Sequence, residues 1–337
     1  MVKRERFELS PAGFAAARED AQSVRDLYVS ALMQPGGYAP AMLALAGFMG
    51  ALAQLPAKVN EPLIGEIRLQ WWRDALQRGA FALDGTTRDA PSTTPTSAAP
   101  TSPPSTTAAR PAEGAGGTPL SDQINALRAA YTLPTTRFIA IIDAHTDLIY
   151  PEPPVSFAAM EEAATARYAN LFALAYAVRQ ATSDPGGAGG RGGADDAMMP
   201  PALVEAGRAY GLLALWQALP ALYAQGRAPL PPALLDAHGI GEADLAAATR
   251  TQAMARLSED FAQPIAQAYR AAAPTLRQNN ALRAAALPVA LVPAMLRLIA
   301  AQTTNPLRQS VALSPLRRFW LLGRARVRLP GLGQGYR

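Results

Sequence analysis

Apolar residues recur along this chain at helical spacing, and nowhere do they alternate with polar ones over the length of a strand. A first helix is predicted from Ser10-Pro11 through Ala15–Ala17 to Ala21. It continues or restarts at Arg25-Asp26-Leu27-Tyr28-Val29 and stops at Gln34-Pro35-Gly36-Gly37. From about Pro40 to Leu55 the chain is apolar nearly all round, as expected for a helix buried on every side, and Pro56 breaks or kinks it. Helical spacing resumes at Ser121-Asp122-Gln123, where Ser121 or Asp122 can cap, and runs through Leu127–Tyr131 and again through Phe138–Leu148. Phe157–Arg179, Pro201–Tyr223, Glu242–Ala272 and Thr275–Ala301 complete the set. The expected class is all-α.

Glu61–Asp74 is the most informative stretch. Asn60 can cap it and Pro62 suits its first turn, where a missing N–H costs nothing. At roughly 100° per residue, Leu63, Ile64, Ile67, Trp71, Trp72 and Ala75 share one broad apolar arc, and Glu66, Gln70, Arg73 and Gln77 gather opposite. Glu61 and Arg68 lie inside the apolar arc, one above the other, and a charge on a buried face must find a partner or stay near water. Two readings stand. Either Glu61 and Arg68 pair at the rim of a core, or Arg68 lines a central cavity and meets an anionic ligand, with the tryptophan pair as part of its wall.

Two segments break the pattern. Residues 83–119 are rich in Pro, Ser, Thr and Gly without apolar periodicity, so they are expected to be a disordered insertion. Residues 183–198 read as a Gly-rich flexible loop. Residues 1–82 and 120–310 are then one helical domain, and 311–337 a basic tail in which Arg317, Arg318, Arg324, Arg326 and Arg328 alternate with Phe319, Trp320, Leu321 and Leu322.

Composition narrows the chemistry. With no cysteine among 337 residues, disulfides, thiolate catalysis, Fe–S clusters and cysteine zinc sites are excluded. His145 and His238 are too few for a histidine metal site or a convincing Ser/His/Asp triad. Asp143 and Asp147, one turn apart, are a weak candidate for Mg²⁺ or else a solvated helix face. Gly186-Gly187-Ala188-Gly189-Gly190 follows no strand and does not read as a phosphate loop. The apolar runs at Ala41–Ala53 and Ala284–Leu296 are too short for a hydrocarbon core of about 30 Å, and the charged Met1–Arg6 leads into no apolar run. A cytoplasmic chain is expected, peripheral at most to the inner membrane.

Arg25-Asp26-Leu27-Tyr28, then Ala41–Phe48, Leu69-Gln70-Trp71-Trp72-Arg73 and Gly226-Arg227-x-x-Leu230-Pro231 together resemble the squalene/phytoene synthase superfamily. The resemblance implies an isoprenoid-synthase-like helical bundle around a central apolar cavity. Its active members join two prenyl diphosphates head to head with Mg²⁺ held by two aspartate-rich motifs. Carboxylates one turn apart suit that task, because Mg²⁺ takes carboxylate and phosphate oxygens together and neutralises the diphosphate as it leaves. Aligned on these signatures, the first motif falls on Ala53, Gln54 and Ala57 and the second on Ala214, Ala218 and Leu222, none of them acidic. Gly65–Trp72, Gly-Glu-Ile-Arg-Leu-Gln-Trp-Trp, is similar to a divergent branch that includes a mitochondrial assembly factor for respiratory complex I.

One function reading is therefore a non-catalytic protein that binds a prenyl chain, a lipid or a partner protein in assembly, with no cofactor. Its ligand-binding candidates are Arg25, Tyr28, Glu61, Arg68, Trp71, Trp72 and Arg227, and Arg317, Arg318, Trp320 and Arg324 touch an anionic membrane. The alternative is an active Mg²⁺-dependent prenyl-diphosphate transferase with a rearranged site, its acids drawn from Glu61, Glu66, Asp143, Asp147, Glu161 and Glu162. A nucleic-acid contact by the tail is a third reading and is not expected.

Overall fold

The computed structural model describes residues 7–59, 61–83, 117–183 and 198–331. Asn60 and most of the 83–119 and 183–198 segments lie outside them. Every extended element among the described residues is helical, and the one β-bridge, Thr249 to Thr304, is isolated.

The N-terminal half begins with α1 (Pro11–Ala21), α2 (Arg25–Leu32), α3 (Ala39–Ala53), α4 (Leu55–Lys58) and α5 (Pro62–Leu83). It continues with α6 (Pro119–Tyr131), α7 (Thr135–Asp143) and the long α8 (Phe157–Ser183). The C-terminal half holds α9 (Pro201–Ala224), α10 (Pro232–Ala237), α11 (Glu242–Ala246), α12 (Gln252–Gln278), α13 (Asn280–Ala285), α14 (Val292–Ala300) and α15 (Pro315–Ala325).

Local chemistry sets several of these boundaries. Ser10 accepts from the Gly13 N–H to start α1, and Thr118 accepts from the Ser121 N–H to start α6, so Thr118 takes the cap expected of Ser121 or Asp122. Pro56 sits in the first turn of α4, where it starts a new turn after α3 has ended. Pro274 does not end α12, contrary to the expected break before Thr275. It lies on the exposed face while Leu257, Phe261, Ile265, Tyr269 and Leu276 keep the buried stripe in register, and the break comes at Asn279, whose side chain caps α13.

Glycines set the closest helix approaches. A Cβ at Gly50 would fall 2.0 Å from the Asp20 carbonyl oxygen, and one at Gly211 2.2 Å from that of Ala164. Only glycine lets α3 lie against α1, and α9 against α8, at those distances. Around these contacts α3 is buried nearly all round, as its composition requires.

The α5 helix is rotated from the expected arc. Its buried stripe is Gly65, Leu69, Trp72, Ala75 and Leu76, with Gly65 close against Ile149, while Leu63, Ile64 and Ile67 face solvent. The arc read from the sequence covers more than one face, and packing uses only the part that carries the small Gly65.

Candidate functional site

The two motif positions mark the end of α3 with the turn of α4, and one face of α9. Ala53 and Ala57 are exposed, Ala214 and Ala218 half-buried and Leu222 buried. Gln54 turns its amide toward α1. Its amide donates to Asp20 Oδ1 (3.2 Å), Ser23 Oγ (3.3 Å) and the Gly50 carbonyl (3.1 Å), closing the end of α3 onto α1. Burial raises the Asp20 carboxyl above its ordinary range, a shift partly offset by Lys58.

The Gly-Arg-x-x-Leu-Pro signature has a local reason. Gly226 takes a left-handed φ of 73° and ends α9, and the Arg227 N–H returns to the Leu222 carbonyl at 3.1 Å. That turn aims the Arg227 side chain at the link between α4 and α5, where Nη2 donates to the carbonyls of Pro56 (3.0 Å) and Val59 (3.3 Å). Arg227 is thus a tie between the two motif-bearing regions. Beside it, Asp147, Tyr150, Met160, Leu215, Leu222 and Arg227 line a pocket of about 20 Å³. That holds about one water molecule and not a prenyl chain.

A buried charged pair lies elsewhere. Asp26 on α2 and Arg318 on α15 are both buried, with Nε 2.5 Å from Oδ1. The N–H does not point along that contact, so it is a charge contact without an aligned hydrogen bond, and Arg318 Nη1 has no hydrogen-bond partner. The Tyr210 hydroxyl donates to Asp26 Oδ2 at 3.2 Å, and Tyr210 meets Tyr168 edge-on at 4.9 Å. Burial raises the Asp26 carboxyl, with Arg318 acting in the opposite direction, and burial raises both tyrosine hydroxyls as well. Phe172, Trp216 and Phe261 fill the space along α8, α9 and α12.

The other expected site residues do not converge. Glu61 and Arg68 are both exposed and form no ion pair with each other, so neither the rim pair nor the cavity-lining arginine is found. The reason is the rotation of α5, which turns their sector to solvent. Trp72 is buried, edge-on to Phe48 and to half-buried Trp71, each with ring centroids 5.2 Å apart, so the pair is core packing. Arg25 is exposed and Tyr28 half-buried. In the tail, Arg317, Trp320 and Arg324 are exposed, whereas Arg318, expected on the membrane side, faces inward to Asp26.

Four of the six carboxylates of the alternative site are committed to other partners, and Glu61 and Glu162 stand apart from them on exposed positions. Asp143 pairs with Arg73, Asp147 with Arg167 and Glu161 with Arg208, each at 2.6 Å, and Glu66 accepts the Tyr150 hydroxyl. Asp143 and Asp147 are thus drawn to two different arginines, Arg73 and Arg167. Among the described residues no three His, Asp or Glu side chains gather as a metal site would need. At the motif positions themselves the donor set is one amide, already bonded, and no carboxylate, which does not fit Mg²⁺.

Asp26, Tyr210 and Arg318 are the buried constellation that sequence reading misses. One signal was Arg318, which stands three and four residues before Leu321 and Leu322 and so on their side of the helix.

The described residues thus form an all-helical assembly, with non-acidic side chains at the positions on α3–α4 and α9 where the resemblance expects metal motifs. The profile of the squalene/phytoene synthase family matches residues 21–318, and the chain belongs to that family. A solved dehydrosqualene synthase in complex with ligand superposes with a TM-score of 0.66 at 13% identity, covering 93% of this chain and 95% of that one. Squalene synthase HpnC from Alicyclobacillus acidocaldarius superposes with a TM-score of 0.54 at 15% identity, covering 85% and 96%. At these identities the likeness is one of fold. No curated protein matches the chain by sequence.

Proposed function

We propose that this chain is a family member that has lost metal-dependent head-to-head condensation and serves as a binding protein, for a partner protein or, at a site other than the water-sized pocket beside Arg227, for an isoprenoid or lipid chain. A role in respiratory complex I assembly is the specific form of this reading, supported by the Gly65–Trp72 signature alone. The observation that carries the proposal is the set Ala53, Gln54, Ala57, Ala214, Ala218 and Leu222 at positions where the reaction needs carboxylates. Losing one acid could be local; losing both sets removes every oxygen ligand that would bridge Mg²⁺ to diphosphate. The use of Gln54 and Arg227 as ties between helices fits the same reading.

The test is release of diphosphate from farnesyl and geranylgeranyl diphosphate, each with and without Mg²⁺. Folded protein is expected to release no more than a heat-killed control. Mg²⁺-dependent release well above that control would overturn the proposal.

A further inference from the structure

The inner side of α15 is fully used: Arg318, Leu321, Leu322 and Ala325 are buried against the domain. Its outer side is not polar, as the outer face of a packed surface helix ordinarily is. Leu316 is 83% exposed, Phe319 63% and Trp320 57%, and Val327 in the turn after the helix is 82% exposed. At helical spacing Leu316, Phe319, Trp320 and Gly323 form one outward arc, with Arg317 and Arg324 along one edge and Arg326 along the other. Arg317, Arg324, Arg326 and Arg328 are all exposed.

We propose that this face is a docking surface for an anionic lipid bilayer, with Leu316, Phe319, Trp320 and Val327 entering the boundary between headgroups and acyl chains and the flanking arginines meeting lipid phosphates. An apolar stripe edged by arginines, with an indole at the margin, is the arrangement interfacial helices use. The Arg324 guanidinium lies 5.3 Å from the Trp320 ring centroid, so charge and indole are presented together. Charge complementarity extends beyond the helix. No aspartate or glutamate follows Asp260, while eleven arginines do, so this part of the chain offers nothing of its own to repel a phosphate surface. The face is also preformed. Ser314 caps α15, and the Asp26–Arg318 contact and the buried leucines fix its orientation, so docking does not have to fold the helix.

Two comparisons select this occupant. The exposed Leu63, Ile64 and Ile67 on α5 form a second apolar patch, but exposed Glu61 and Glu66 flank it together with Arg68, so its charge is mixed and gives it no preference for anions. Single-stranded nucleic acid would use aromatic rings for stacking, whereas Leu316 and Val327 have no face on which a base can stack.

The experiment is co-sedimentation of the full-length protein with vesicles of equal parts phosphatidylglycerol and phosphatidylcholine, against phosphatidylcholine alone, at low salt. Binding to the anionic vesicles only is expected. Arg317→Gln with Arg324→Gln should weaken it about fivefold per arginine. Phe319→Ser with Trp320→Ser should abolish it at the same lipid concentration, and Leu63→Ser with Ile67→Ser should leave it unchanged. A readout that does not depend on a disruptive variant is tryptophan quenching by brominated phospholipid, expected in the parent and lost in Trp320→Phe, which still binds. The proposal fails if anionic vesicles are not bound, if binding survives Phe319→Ser/Trp320→Ser, or if the α5 variant abolishes it. It also fails if the same arginines retain a single-stranded oligonucleotide while vesicles are ignored.

Discussion

Arg318 Nε lies 2.5 Å from Asp26 Oδ1 in a buried setting, which ties α15 near the end of the sequence to α2 near its start. The contact sorts the arginines of α15 into one buried and two exposed positions. Arg318 goes inward, and Arg317 and Arg324 are left outside. A buried charge that loses its partner stays buried, and breaking such a pair costs about 3–5 kcal/mol. Arg318→Ala should therefore lower stability by about that much in urea denaturation. Asp26→Asn with Arg318→Met, which removes both charges and keeps volume, should cost clearly less. Equal losses in the two proteins would show that packing, and not the charge pair, holds α15.

His145 gives a signed pH dependence. It is buried, its Nδ1 lies 2.7 Å from the Ile141 carbonyl, and burial, reinforced by nearby Arg167, pushes its pKa down to about 3. The unfolded chain takes up a proton near pH 6.5 that the folded chain refuses, so stability is fully present above that pH and falls as pH drops toward 3. The slope is about 1.4 kcal/mol per pH unit once below the unfolded value. Urea midpoints at pH 7 and pH 5.5 should show this loss in the parent and a much smaller one in His145→Gln. Parallel losses would place the effect on other groups.

The tryptophan pair predicts unequal costs. Trp72 is buried against Phe48, while Trp71 is half-buried and Ile67 faces solvent. Trp72→Ala should lose about 3–5 kcal/mol, the range for deleting a buried aromatic. Trp71→Ala should lose less, and Ile67→Ser should stay within about 0.5 kcal/mol. Thermal melts of the three variants decide it, and a severe Ile67→Ser would mean that the α5 face is covered.

These same residues mark how far the sequence could be read. The all-α class, the buried α3 and the family were legible because helical periodicity, all-round apolarity and the Trp-Trp-Arg and Gly-Arg-x-x-Leu-Pro spacings are local properties. The rotation of α5 was not. Which part of a broad apolar arc is buried depends on Gly65 meeting Ile149 from another element. The partner of Asp26 was equally hidden, since no local rule joins α2 to α15. Arg227, expected as a ligand-binding residue, also ties the turn after α9 to Pro56 and Val59, and Gln54, expected only as a motif position without an acid, ties the end of α3 to Asp20.

The degenerate motif on α9 allows a direct reversal. Ala214 and Ala218 are half-buried and one turn apart, so Ala214→Asp with Ala218→Asp should fold with two carboxylates on one face. Like charges at that spacing repel by a few tenths of a kcal/mol, and a divalent cation that binds them only in the folded state restores and exceeds the loss. Mg²⁺ at about ten times its dissociation constant would add roughly 1.4 kcal/mol. The expected outcome is a melting temperature raised by Mg²⁺ in the double variant and unmoved in the parent. Diphosphate release should stay absent, because Gln54 still binds Asp20 where the opposing carboxylates would stand. A variant that gained release from these two substitutions alone would show that the α3 side had kept its function without acids. A variant whose melting temperature ignored Mg²⁺ would show that the two positions do not converge on one ion.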